Sequence, residues 1–163
     1  MLSSTRHQHR YSGLLALLAV VSATPAFAKD ANFEGLTLPG TSGATRGVVS
    51  GYTGGSYSLS SIANRDRHNN ECFGYGDRSP DHILKLDRDF AQLKLKVNSG
   101  RKGTTLLVKG PDDDTIRCGG ETESRRDAQI IDSDWKSGTY RIWVGAVESG
   151  KRLDYTLLVR EQQ

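Results

Sequence analysis

Beyond its first 28 residues, no window of useful length in this chain repeats apolar residues at a helical period. Short alternating or β-branched runs recur instead, spaced about 8–12 residues apart and separated by Gly, Pro, Asn, Asp and Ser. The runs are His82–Leu86, Phe90–Val97, Thr104–Lys109, Thr115–Cys118, Ala128–Ile131, Gly138–Val147 and Leu153–Val159. The breaks include Ser79-Pro80-Asp81, Asp87–Asp89, Asn98-Ser99-Gly100 and Gly110-Pro111-Asp112-Asp113-Asp114. Pro fixes its own φ, Gly admits left-handed backbone, and Asp and Asn bond to nearby backbone, so each break turns the chain back. A chain reversed this often builds antiparallel sheets, and the expectation is a single all-β, jelly-roll-like antiparallel β-sandwich.

Two runs carry the most detail. Phe90–Val97 sets Leu93, Leu95 and Val97 on one face against Lys94 and Lys96, the mark of a half-buried strand. Gly138–Val147, GTYRIWVGAV, sets Tyr140, Ile142, Val144 and Ala146 on one face and Trp143 on the other. The first set has a core to face. Trp143 needs a second cover, from a leader, a loop or a partner.

The start of the chain reads as an export signal. Arg6, His7, His9 and Arg10 precede the apolar core Gly13–Val21, and Ala26-Phe27-Ala28 is an A-x-A cleavage pattern. The apolar core is shorter than the ~20 residues a membrane span needs, so no membrane insertion is expected after cleavage. Residues 1–28 are read as signal peptide, 29–55 as a flexible leader rich in Gly, Ser and Thr with a short edge strand near Arg46–Ser50, and 56–163 as the sandwich. Cleavage leaves 163 − 28 = 135 residues and a net charge of 20 − 19 = +1, with both signs interspersed. A nucleic-acid partner is therefore not expected. In a periplasmic or extracellular compartment the two cysteines, Cys72 and Cys118, are expected to pair.

Catalytic chemistry finds little to work with. The expected mature part holds two histidines, His68 and His82, and no G-x-S-x-G. Ser79, Asp81 and His82 are too close along an extended chain to form a relay, so Asp81 is read as a turn cap and His82 as a residue of the sheet surface. No enzyme is expected; a small secreted hydrolase is the least favoured alternative. For binding, the candidates are the aromatics Phe73, Tyr75, Trp135 and Trp143, each of which competes with a core role.

Several pieces, in order, resemble the bacterial pre-peptidase C-terminal domain in its stand-alone exported form. They are Cys72-Phe73-Gly74-Tyr75, Ser79-Pro80-Asp81-His82, Thr104–Asp112, Arg117-Cys118, Trp135–Gly145 and Tyr155-Thr156-Leu157, spread over about Ser56–Glu161. The resemblance implies a jelly-roll-like sandwich with a non-catalytic binding or accessory role in the cell envelope. It implies a polysaccharide or an exported or cell-surface protein as partner. It also raises calcium, as in a calcium-stabilised structural envelope protein, with Asp112, Asp113, Asp114, Glu121 and Asp127 as ligands. Where the family has acidic residues after its second cysteine, this chain has Gly119-Gly120, and an EF-hand spacing is absent.

Overall fold

The computed structural model describes residues 30–41, 45–112, 115–122, 124 and 126–162. The expected signal peptide, 1–28, lies outside the described residues. The strands are β1 (Leu36–Leu38), β2 (Arg46–Tyr52), β3 (Tyr57–Ser58), β4 (Tyr75–Gly76), β5 (His82–Leu86), β6 (Phe90–Asn98), β7 (Thr104–Lys109), β8 (Ile116–Gly119), β9 (Gln129–Trp135), β10 (Gly138–Ala146) and β11 (Asp154–Glu161), with a 3-10 turn at Leu59–Ser61. They form a seven-stranded and a four-stranded sheet, the latter in the order β2-β11-β6-β9. The molecule is the expected all-β, jelly-roll-like sandwich with one disulfide.

β10 organises the larger sheet. One edge pairs with β5, from Gly138 opposite Leu86 to Ile142 opposite His82, and then with β4 at Ala146 and Tyr75. Its other edge pairs with β7 from Arg141 to Ala146, and β8 follows β7 as a hairpin partner. Between the sheets, Leu84, Leu86, Leu106, Val108, Tyr140, Ile142 and Val144 meet Phe90, Leu93, Leu95, Val97, Ile130, Trp135, Leu157 and Val159 in one core. The alternation of Phe90–Val97 is realised as read, with Lys94 and Lys96 turned outward.

The segment 29–55, expected as a leader with a short edge strand near Arg46–Ser50, has that edge strand as β2 and adds β1 to the other sheet. β1 adds in parallel to β5, placing Leu38 in the core, and β2 pairs with β11 along its whole length. Its sequence is poor in apolar residues because only one face of a sheet edge needs them. Val49 is its buried anchor, and Gly47 and Gly51 lie close against Leu36, Phe33 and Tyr155. Backbone bonds from Asn32 N–H to Pro80 and from Phe33 N–H to Asp81 tie the segment's start to the turn before β5.

Trp143 gains its cover from the excursion between β3 and β4. Leu59, Ile62, Ala63 and Cys72 of that excursion pack with Leu107, Ile116, Cys118 and Trp143 into a second apolar cluster on the outer side of the larger sheet. The Trp143 indole N–H donates to the Arg78 carbonyl at 3.2 Å. The Cys72–Cys118 disulfide joins the excursion to β8. Closing a 46-residue separation constrains the unfolded chain by roughly 4 kcal/mol in the chain-entropy picture. Replacing both cysteines with serine should therefore cost about 2–4 kcal/mol in urea unfolding and red-shift Trp143 emission as the excursion loosens. An unchanged midpoint and spectrum would show that the apolar cluster holds without the bridge.

Candidate functional site

The excursion that covers Trp143 also builds a cleft on its outer side. Ser58, Ser60, Asn64, Arg65, Glu71, Phe73, Gly74, Tyr75 and Val147 line a space of about 660 Å³ beside Cys72. Backbone bonds set its walls: Leu59 N–H to Gly74, and Cys72 N–H to Asn64, both 2.9 Å. Arg65 and Glu71 face each other across an isolated β-bridge. The Ser58 and Ser60 hydroxyls are 2.7 Å apart, and Arg65 donates to the Asn69 carbonyl. The lining is one cation, one carboxylate, two hydroxyls, an amide and two rings.

Of the four aromatic candidates, the fold brings Phe73 and Tyr75 to this cleft and takes the other two away. Phe73 is 41% exposed, and Tyr75 is half-buried. Trp143 is buried under the excursion. Trp135 is fully buried in the main core, its ring 5.3 Å from Tyr140 and its indole N–H bonded to the Asp132 carbonyl. Trp135 and Trp143 thus take the core role that competed with binding, because each sits in a strand with buried neighbours on its side of the sheet.

Among the described residues, the calcium candidates form no metal-holding group. Asp113 and Asp114 lie outside the described residues. Asp127 accepts from the Ser99 hydroxyl and N–H and from the Arg101 N–H, capping the loop after β6. Glu121 pairs with Arg126 at 2.7 Å, and Asp112 stands in a separate cleft with Arg67, Thr115, Asp134 and Lys136. Among the described residues, no three His, Cys, Asp or Glu side chains are grouped to hold a metal. Gly119-Gly120 has a packing reason: a Cβ on Gly120 would strike the Phe73 ring, and one on Gly119 the Gln129 backbone. Chelation with EDTA should leave the melting temperature unchanged; a fall of many degrees would reinstate an integral cation.

Two polar clusters were not legible as such. His68 Nε2 lies 2.8 Å from Asp132 Oδ1, and Arg117 Nε donates to Asp132 Oδ2 at 2.7 Å. The Arg117 guanidinium stacks 4.0 Å over the Trp135 ring and bonds the Ser133 and Asp134 carbonyls. Burial alone would raise the Asp132 carboxyl, but the bonds from His68, Ser133 and Arg117 outweigh it and hold it below the usual carboxylate range. These bonds clamp the excursion to β9. The signal available was Asp132 alternating with Ile130 on an inward face, where a carboxylate requires a partner.

The second cluster corrects the reading of His82. The side chain is fully buried between the sheets, not at the surface. Its Nδ1–H donates to the Glu34 carbonyl at 2.7 Å, and Nε2 accepts from the Tyr155 hydroxyl at 2.9 Å. With both ring nitrogens engaged and burial lowering its pKa, the imidazole is a neutral structural link. Asp81, also buried, accepts from Val144 N–H at 2.7 Å and from the Asn32 amide at 3.2 Å. Burial pushes its pKa up to about 6 against those bonds.

The two shifts act on stability in opposite directions. The folded state holds the Asp81 proton to higher pH than the unfolded chain, so that contribution is complete below about pH 4 and is lost as pH rises through about 6. His82, depressed, contributes stability above about pH 6.5 that is lost as pH falls. Asp81→Asn should remove the first slope, raising stability at pH 7 by on the order of 2 kcal/mol relative to its effect at pH 4. Equal effects of the substitution at both pH values, in urea titrations, would rule this out.

No protein-family model matches the chain, and no curated protein matches it. Among solved structures it is similar to Aeromonas hydrophila PliG, a periplasmic lysozyme inhibitor of g-type lysozyme, at 17% identity and a TM-score of 0.44, with 79% of this chain and 99% of that one covered.

Proposed function

We propose that the protein is an exported, non-catalytic binding module of the cell envelope, similar to pre-peptidase C-terminal domains, which engages an exported or cell-surface protein through the cleft beside its disulfide. The observation that carries this reading is Phe73. A large ring 41% exposed is held on a segment pinned by a disulfide and ringed by Arg65, Glu71, Asn64 and serine hydroxyls. An aromatic anchor with a polar rim is the anatomy of protein-binding hot spots, and a pinned segment loses little entropy on binding. The export signal read at 1–28 and the oxidised cysteine pair agree with a periplasmic or extracellular site of action.

A polysaccharide is the second reading, favoured by the Ser58, Ser60 and Asn64 donors beside the Tyr75 ring. Immobilised protein incubated with exported proteins and with envelope polysaccharide separates the two. Phe73→Ala should weaken capture of a protein partner at least about tenfold, the loss typical of a hot spot, with an unchanged melting temperature. Capture indifferent to Phe73→Ala and to Tyr75→Ala would place the binding surface elsewhere. Retention on the polysaccharide alone would favour the second reading.

A further inference from the structure

A second cleft opens where the N-terminal segment meets the turn before β5. Asn32, Phe33, Tyr52, Gly54, Asp77 and Asp81 line a space of about 330 Å³ there. It shares no residue with the cleft beside the disulfide. The Phe33 and Tyr52 rings meet edge to face, their centroids 4.8 Å apart. The Arg152 guanidinium lies over the Tyr52 ring, 3.3 Å from its centroid. One cation of the chain is thus drawn to this place, and a ring holds it rather than either carboxylate.

Asp81 is the unusual member. It is only 4% exposed, yet it lines the cleft. Its partners are neutral: Oδ2 accepts from the Val144 N–H and Oδ1 from the Asn32 amide. Asp77 is exposed, and its Oδ1 accepts from the Ser79 N–H at 3.1 Å. Among the described residues, neither carboxylate forms an ion pair with a Lys, Arg or His. The charge that acts on Asp81 is the Asp77 carboxylate, which adds to the effect of burial and raises the Asp81 pKa against its two bonds. Buried charges in proteins are ordinarily paired. Two acids at one recess, one of them desolvated, instead focus an uncompensated negative potential into it.

The chemistry selects the shape of the missing cation. Both Asp81 oxygens are already engaged, so the planar fork of a guanidinium, which takes two oxygens of one carboxylate, suits the site less than an ammonium. An ammonium is compact, and its three donors point to acceptors on different residues. The rings offer apolar surface to a methylene stem. At Gly54 a Cβ would meet nothing within 4 Å, so space for that stem remains.

We propose that this cleft binds a primary alkylammonium group, that of a free amine or of a lysine side chain, with Asp81 and Asp77 as its counter-charges and Phe33 and Tyr52 against its methylenes. The proposal does not rest on the cleft beside the disulfide and can fail or hold independently of it.

Backbone and side-chain amide resonances of the isotope-labelled protein, followed by NMR at about pH 8, provide the test. Asp81 is ionised there and an alkylamine is still protonated. The probes are n-pentylamine hydrochloride and a blocked tripeptide with a central lysine. Saturable shifts are expected at the Val144 N–H, the Asn32 side-chain amide and Gly54 with either probe, the tighter of the two naming the source. n-Pentanol, the same stem without the charge, should give none. Asp81→Asn retains an acceptor for Val144 and should weaken binding at least about tenfold. Asp77→Asn, at an exposed position where folding is not at stake, should weaken it severalfold. No saturable shift with either amine, equal shifts with n-pentanol, or unchanged affinity in Asp77→Asn would each overturn the proposal.

Discussion

Everything on the larger sheet follows from β10 being apolar on both faces. From Ile142 to Ala146 every residue of the strand is buried. A two-layer sandwich can bury only one of those faces. Burying a ring the size of Trp143 removes on the order of 200 Å² from water, worth about 5 kcal/mol. The chain secures that gain with a third, partial layer, the excursion between β3 and β4. Because the layer is short and holds only Leu59, Ile62, Ala63 and Cys72 as apolar cover, covalent and polar ties supplement its packing. The disulfide fixes one end, and the His68–Asp132–Arg117 cluster fixes its loop to β8 and β9.

The polar interior is arranged to the same end. His82, Asp81 and Tyr155 are buried at the junction where the N-terminal segment meets β5, β10 and β11. Each takes partners from elements distant in sequence: Glu34 for His82, Asn32 and Val144 for Asp81. An unsatisfied buried polar group costs far more than a made bond gains, so these contacts specify where the N-terminal segment must lie. They explain why a stretch with so few apolar residues is still an integral part of the fold. The Arg117 guanidinium is treated similarly, enclosed between the Trp135 ring and the Asp132 carboxylate.

The two outer faces of the sandwich then differ. One carries the excursion and its polar cleft, with the exposed Phe73 ring. The other shows, among the described residues, the outward side chains of the four-stranded sheet. A pocketed, stapled surface suits recognition of shape.

Much of the fold was legible in the sequence. Period-2 alternation and Gly/Pro/Asp turns located the strands from His82 to Val159 within a few residues, since both signals act locally. The cysteine pair was legible from compartment and count. Less of the candidate site was legible: Phe73 and Tyr75 could be named as aromatics, but not distinguished from Trp135 and Trp143. Exposure depends on what folds over a face, and the cover for Trp143 comes from residues about seventy to eighty positions earlier. Incorporation of 29–55, burial of His82 and convergence on Asp132 depend on distant partners too. The same holds for charge. Along the chain the cations are interspersed with acids, and only strand register brings Arg46, Lys94, Lys96 and Arg160 onto one face. Local chemistry determined which segments are strands and where they turn. Tertiary structure decided which faces meet, because pairing across long separations is selected by the fit of whole sheets and leaves no mark in any single window.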